Sequence, residues 1–266
     1  MRGLSTDEFI TARHERLKQT VLAGFRAGRH TRAMKLTVRK SNDRGHANHG
    51  WLDSHHTFSF ADYYDPAHMG FRSLRVINED YVAPNGGFPT HPHHDMEIFS
   101  YIVEGSLAHK DSMGNARALL PGQIQLMSAG SGVTHSEFNP SAKERVHLLQ
   151  IWIQPRERGL TPGYTEWHPK AANDRAAKVL VISPDGRDGS AVIHQDADVY
   201  RVRLGAGQSV THDVRTGRGA WLQVIKGDVS LNDAKLTTGD AASTDDTGTL
   251  TVTASEGAEA LLFDLH

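Results

Sequence analysis

From residue 35 to 153 the chain alternates short β-rich runs with turn residues: KLTVRK, HTFSF, SLRVI, EIFSYIVEG, SLAHK, IQLMSAG and VHLLQIWI follow one another in order. This punctuation constrains the fold more than any other feature, because short runs at such spacing predict a sandwich or barrel of antiparallel strands. DSMGN, at residues 111–115, has the residues of a hairpin turn. Residues 154–178 are rich in Pro, Gly and charge, lack strand periodicity and read as a linker. Strands then resume with VLVIS, VYRVRLG, WLQVIKGDVSLN and ALLFDL.

The two halves repeat one pattern of strand, Gly, hairpin, and a second Gly that restarts a strand. Gly105 to Gly122 spans 17 positions and Gly227 to Gly239 spans 12, so the second hairpin is five residues shorter. Two similar small barrels in tandem account for this. Residues 1–33 read differently: Ser5 with Glu8 fits a capping box, and Phe9, Ile10, Leu17, Val21, Leu22 and Phe25 recur near a helical period until Gly28. The predicted organisation is all-β, with an N-terminal helical extension at 1–33, a first barrel at 34–153, the linker at 154–178 and a second barrel at 179–266.

Cysteine is absent, so disulfides, thiolate metal sites and cysteine nucleophiles are excluded, and any metal must be held by His, Asp or Glu. A net charge of −2 gives no global reason to seek nucleic acid or an anionic membrane, and small molecules are the expected partners. No apolar run is long enough to span a bilayer, and the chain reads as cytoplasmic. Its 17 histidines are clustered, with four between His46 and His56 and three between His91 and His94.

In a strand, residues two apart share a face, so His91 and His93 project together, and Glu97 has the same parity. After the hairpin, His135 and Glu137 form a second pair of this kind, preceded by glycines that allow a tight turn. On neighbouring strands the two pairs present three imidazoles and a carboxylate to one point inside a barrel. That donor set suits a first-row divalent metal, and an octahedral ion such as Fe(II) keeps two positions open. His46, His49, His55 and His56, beside Trp51, Phe58 and Phe60, read as packing and hydrogen-bonding groups. His94 has the opposite parity and faces away. His109 and His147 read as satisfied polar groups, and Asn139 as a turn residue.

THPHHDMEIFSYIVEG followed by GSGVTHSEFNP resembles the two motifs of the cupin superfamily. RGHANHGWLDSHHTFSFADYYDP, HPHHDMEI, HKDSMGN, MSAGSGVTHSE and RDGSAVIHQD, in that order, resemble the pirin family from about residue 35 to the end, and its bacterial quercetin 2,3-dioxygenase-like members most of all. The resemblance implies a bicupin of two jelly-roll barrels with a metal, usually iron, in the first only. It implies His91, His93, His135 and Glu137 as ligands, whereas most cupins take their carboxylate from the first motif, near Glu97 here. Glu97 is then an acid/base candidate, as is Glu137. The repeat supports a metal-free second barrel: aligning Gly227 with Gly105 sets Asp213 and Arg215 opposite His91 and His93, and sliding by one sets His212 and Val214 there.

The activity implied is metal-dependent dioxygenation of a flavonol-like substrate with O2, opening its ring with loss of carbon monoxide. The alternative is a non-catalytic iron-binding protein whose metal state controls contact with a protein partner. The absence of a basic stripe argues against a nucleic-acid partner.

Overall fold

The protein is described by a computed structural model covering residues 33–171 and 175–266. The helix predicted over 1–33 lies outside the described residues, which begin at Ala33. The first half contributes β1 (Thr37–Arg39), β2 (Gly45–Asn48), β3 (Leu52–His56), β4 (Leu74–Val82), β5 (Gly87–His93) and β6 (Glu97–Glu104). It continues with β7 (Leu107–Asp111), β8 (Ala116–Leu119), β9 (Ile124–Ser128), β10 (Val133–Phe138), β11 (Val146–Ile153) and β12 (Gly163–Trp167). The second half contributes β13 (Lys178–Ser183), β14 (Ala191–Val192), β15 (Ala197–Leu204), β16 (Ser209–Val214) and β17 (Gly219–Lys226). It ends with β18 (Val229–Leu231), β19 (Ala234–Leu236), β20 (Ala241–Thr244), β21 (Gly248–Ala254) and β22 (Ala258–Leu265).

These strands form two barrels, each a seven-stranded sheet facing a four-stranded one. The first pairs β12-β9-β6-β11-β4-β3-β2 with β5-β10-β7-β8, and the second pairs β1-β20-β17-β22-β15-β13-β14 with β16-β21-β18-β19. The largest apolar cluster joins side chains of the two seven-stranded sheets, among them Phe99, Ile151, Val199, Trp221 and Phe263. A central strand is therefore buried on both faces and loses its polar alternation. In β6, Phe99 and Tyr101 face the other barrel, while Ile98, Ser100 and Ile102 face the first barrel's own interior. Each fully buried large side chain stabilises the fold by roughly 1.5–3 kcal/mol.

Three local expectations change. β12 lies inside the segment read as a linker, where Tyr164 pairs with Met127 and Trp167 with Ile124 of β9. Five residues satisfy the edge of β9, and Trp167, buried beneath the Arg201 guanidinium, anchors them. So short a strand, defined by a distant partner, leaves no period to read. β1, assigned to the first barrel by position, pairs instead with β20 of the second, Thr37 opposite Ser243 and Arg39 opposite Ala241. HTFSF is a strand only at His56: beyond it Ser59 N donates to His68 O and the chain leaves the sheet, freeing Phe58 for the inter-barrel core.

Candidate metal centre

β5 and β10 pair antiparallel with His91 opposite His135 and His93 opposite Val133. The pairing brings His91, His93 and His135 together on one face, with one nitrogen from each within 4.8 Å of the others. Gly130 lets β10 begin there: its φ of 47° is left-handed, and a Cβ at this position would collide with the Leu160 carbonyl. His91 Nδ1 donates to the Pro89 carbonyl at 2.7 Å, which fixes its tautomer and leaves the Nε2 lone pair facing inward. His91 Nε2 and His135 Nε2 are 3.1 Å apart, close to what two ligands at about 2.1 Å from one ion would give at roughly a right angle. The rings meet at 55–81°, radiating from a common point rather than stacking. Burial, reinforced by the neighbouring imidazoles, pulls His93 down to about 4 and His135 to about 3, so both stay neutral and able to ligate. The trio fits a divalent metal ion.

Glu137 follows across a register shift between His135 and Glu137 that sets it deeper in the barrel. Its Oε1 accepts from Ser100 Oγ (3.0 Å) and Gln125 Nε2 (2.8 Å), and its Oε2 accepts from Gln150 Nε2. Burial pushes its carboxyl up to about 7 against those hydrogen bonds. Within 4.8 Å the carboxylate closes with His135 and His109, not with the trio as a set. His109, read from the sequence as a satisfied polar group, is buried with Nε2 3.1 Å from Asp111 Oδ2 and has no partner at Nδ1. Asp111 also accepts from the amides of Met113 and Asn115, so the DSMGN turn holds the base of this arrangement.

Glu97 is a correction. It points between the two barrels, where its Oε2 accepts from Ser128 Oγ (2.8 Å) and from the amide of His194 in the second half (3.3 Å). Parity counted from His93 fails because Asp95 lies between β5 and β6 with φ of 50°, tied to Gly130 O and Gly159 N, and the two strands belong to different sheets. His94 is exposed, as its parity requires. His147 lies on the sheet's other face, 2.9 Å from Glu79. Asn139 does more than turn the chain: its buried Nδ2 donates to the carbonyls of Val82, Ala83 and Glu144 and pins the end of β10.

A pocket opens beside the trio, walled by Phe60, Phe88, Ile98 and Trp152, with Asn78, Asp80, Glu137 and Gln150 as polar lining. Trp152 meets His93 and Phe60 edge-on at 4.9 and 5.4 Å. Asp80 was not singled out in the sequence, where it follows Asn78 and Glu79 with nothing local to set it apart. Burial pushes its carboxyl up to about 7, against a hydrogen bond from Ser54. Among the described residues the second barrel contributes no group of three metal-ligating side chains.

Tandem jelly-roll barrels with a histidine trio in the first define a two-cupin protein with a site fit for a divalent metal. The pirin family signature matches residues 37–153, and that of the quercetinase C-terminal cupin domain matches residues 180–265. The quercetin 2,3-dioxygenase of Escherichia coli K12 is 51% identical over 230 residues, covering 86% of this chain and 98% of that protein. The crystal structure of YhhW from Escherichia coli superposes with a TM-score of 0.84 at 50% identity, over 87% of this chain and 98% of that one. A nickel(II) complex of the bacterial pirin YhhW gives 0.83 at 49% identity, over 87% and 99%. The chain belongs to the pirin family. No helix among the described residues is long and apolar enough to cross a membrane.

Proposed function

We propose that this pirin is a metal-dependent dioxygenase that opens the ring of a quercetin-like flavonol with O2. The observation that carries the reading is the convergence of three imidazoles on an aromatic-walled pocket. His91, His93 and His135 would hold the metal, and Glu137 would turn from its amide partners to complete the set. Iron(II) is the ion we propose, and when bound it supplies Lewis acidity toward a substrate hydroxyl and electrons for reaction with O2.

The remaining roles belong to the chain's own side chains. Phe60, Phe88 and Trp152 offer flat apolar surface to a planar ring system and exclude water from its faces. Asp80, its Oδ1 held by Ser54, is placed to accept a phenolic proton near neutral pH, where its raised pKa matches the task. The Pro89 carbonyl accepts from His91 Nδ1 and so turns Nε2 of that ring inward. Glu97 does not line the pocket and is assigned no role in this reading. The names of the Escherichia coli relatives support the substrate class.

The test is aerobic incubation of iron-loaded protein with quercetin, followed by loss of the flavonol absorbance, with an argon control. Bleaching is expected in air and not under argon, and not with His93→Ala. Bleaching no faster than that of iron without protein would sink the proposal.

A further inference from the structure

The β2–β3 hairpin carries histidines on both faces. Along β3, Leu52, Ser54 and His56 line the pocket, so Asp53 and His55 point to the sheet's other side. β2 is the outermost strand of its sheet and sets His46 directly opposite His55, with Asp53 one pleat away on the same face. Cross-strand neighbours of this kind hold their Cβ atoms about 4.5–5.5 Å apart without any loop having to order. His46 Nε2 lies 2.6 Å from Asp53 Oδ1, the His46 and His55 rings stack at 4.6 Å, and one donor atom from each residue lies within 4.8 Å of the others.

A further observation points to a ligand. His55 Nδ1 is buried and has no hydrogen-bond partner, an arrangement that folded proteins avoid. The nearby guanidinium of Arg44 is engaged by Glu79 at 2.8 Å and so does not pair with Asp53.

We propose that His46, Asp53 and His55 form a second, outward-facing site for a divalent transition-metal ion of the zinc type, separate from the pocket trio. Two imidazoles and a carboxylate leave one tetrahedral position for water and favour zinc over magnesium, which prefers oxygen donors. The His46 side chain is 53% exposed and free to turn from Asp53 toward an ion shared with His55. A cation there ties the outermost strand to its neighbour and stiffens the strand whose opposite face walls the pocket.

Chelator-treated full-length protein, titrated with zinc chloride in a calorimeter and assayed for metal after desalting, tests the site. The wild type is expected to bind one more equivalent than His55→Gln or His46→Gln, with all three circular dichroism spectra coinciding. Asp53→Asn is expected to weaken that site about tenfold, and a tenfold excess of magnesium not to displace the zinc. Equal stoichiometry in the wild type and both histidine variants overturns the proposal. Should His55→Gln fail to fold, the exposed position of His46 leaves its variant to decide. His93→Ala separates the two sites: it is expected to lose the pocket equivalent alone, and if it keeps both, the pocket assignment fails while this one stands.

Discussion

Across β5 and β10 the first barrel sets His91 opposite His135, and across β16 and β21 the second sets His212 opposite Leu250. The inward residues beyond that pair are His93 and Glu137 in one barrel and Val214 and Val252 in the other. Fifteen buried aliphatic side chains, including Leu222, Leu231 and Leu262, fill the second interior, whereas the first is divided between two small apolar clusters and the polar lining around Glu137. His212 Nε2 lies 3.0 Å from Asp264 Oδ2, and Arg218 binds the same carboxylate. One frame therefore serves two ends. The second barrel spends its interior on stability, and the first gives up packing to hold unpaired imidazole nitrogens and buried acids.

The contrast is broken most severely by removing a pocket histidine. His135→Ala is expected to abolish flavonol turnover, by at least about 100-fold as for loss of a metal ligand's support, and to lower metal content by one equivalent. The same change should leave the denaturation midpoint of the metal-free protein nearly unmoved, because His135 leaves its buried Nδ1 unpaired there. Leu250→Ala should do the reverse, costing about 2–5 kcal/mol in urea unfolding without altering the pocket's metal content.

A smaller effect distinguishes the barrels by sign. Asp80 has its folded pKa raised by burial to about 7, above the unfolded value of about 3.9. The native state then holds a proton that the unfolded state releases, so stability falls as pH rises from about 4 to 7. Asp264 is opposite: burial alone would raise it, but hydrogen bonds from His212 and Arg218 outweigh that and hold it below its usual value. Its contribution is present above about pH 4 and is lost as pH falls through the lowered value. In the metal-free protein, the difference in unfolding free energy between the wild type and Asp80→Asn should show the first slope across pH 4–8. The least effect is expected from Lys40→Ala, which removes a half-exposed ammonium from Asp240 (2.8 Å) and should cost no more than about 1 kcal/mol.

The sequence made the metal centre legible where its signal was local. HPH and HSE each place two side chains on one face of one strand, and the glycines of SAGSG mark the turn that positions the second pair. Glu97 misled because strand parity was carried through Asp95, whose left-handed backbone resets the count. Asp80, Ser100, Gln125 and Gln150 had no motif to announce them, since they meet Glu137 or the pocket only once four strands have paired. β12 escaped for the same reason, a strand made by its partner rather than by its own pattern. The four histidines between His46 and His56 read as one packing cluster, yet the pleat of β3 divides them between two faces.

The pairing of β1 with β20 crosses the boundary that the sequence draws between the barrels. Lys40 and the amide of Ser41 grip Asp240 just beyond it, and Arg72 reaches Asp245 and the carbonyl of Gly217. A protease that cuts the connecting segment would sever a covalent tie but not this clasp. The two fragments should co-elute under native conditions and part only in denaturant, and a gene split there should yield neither half as a well-behaved product on its own.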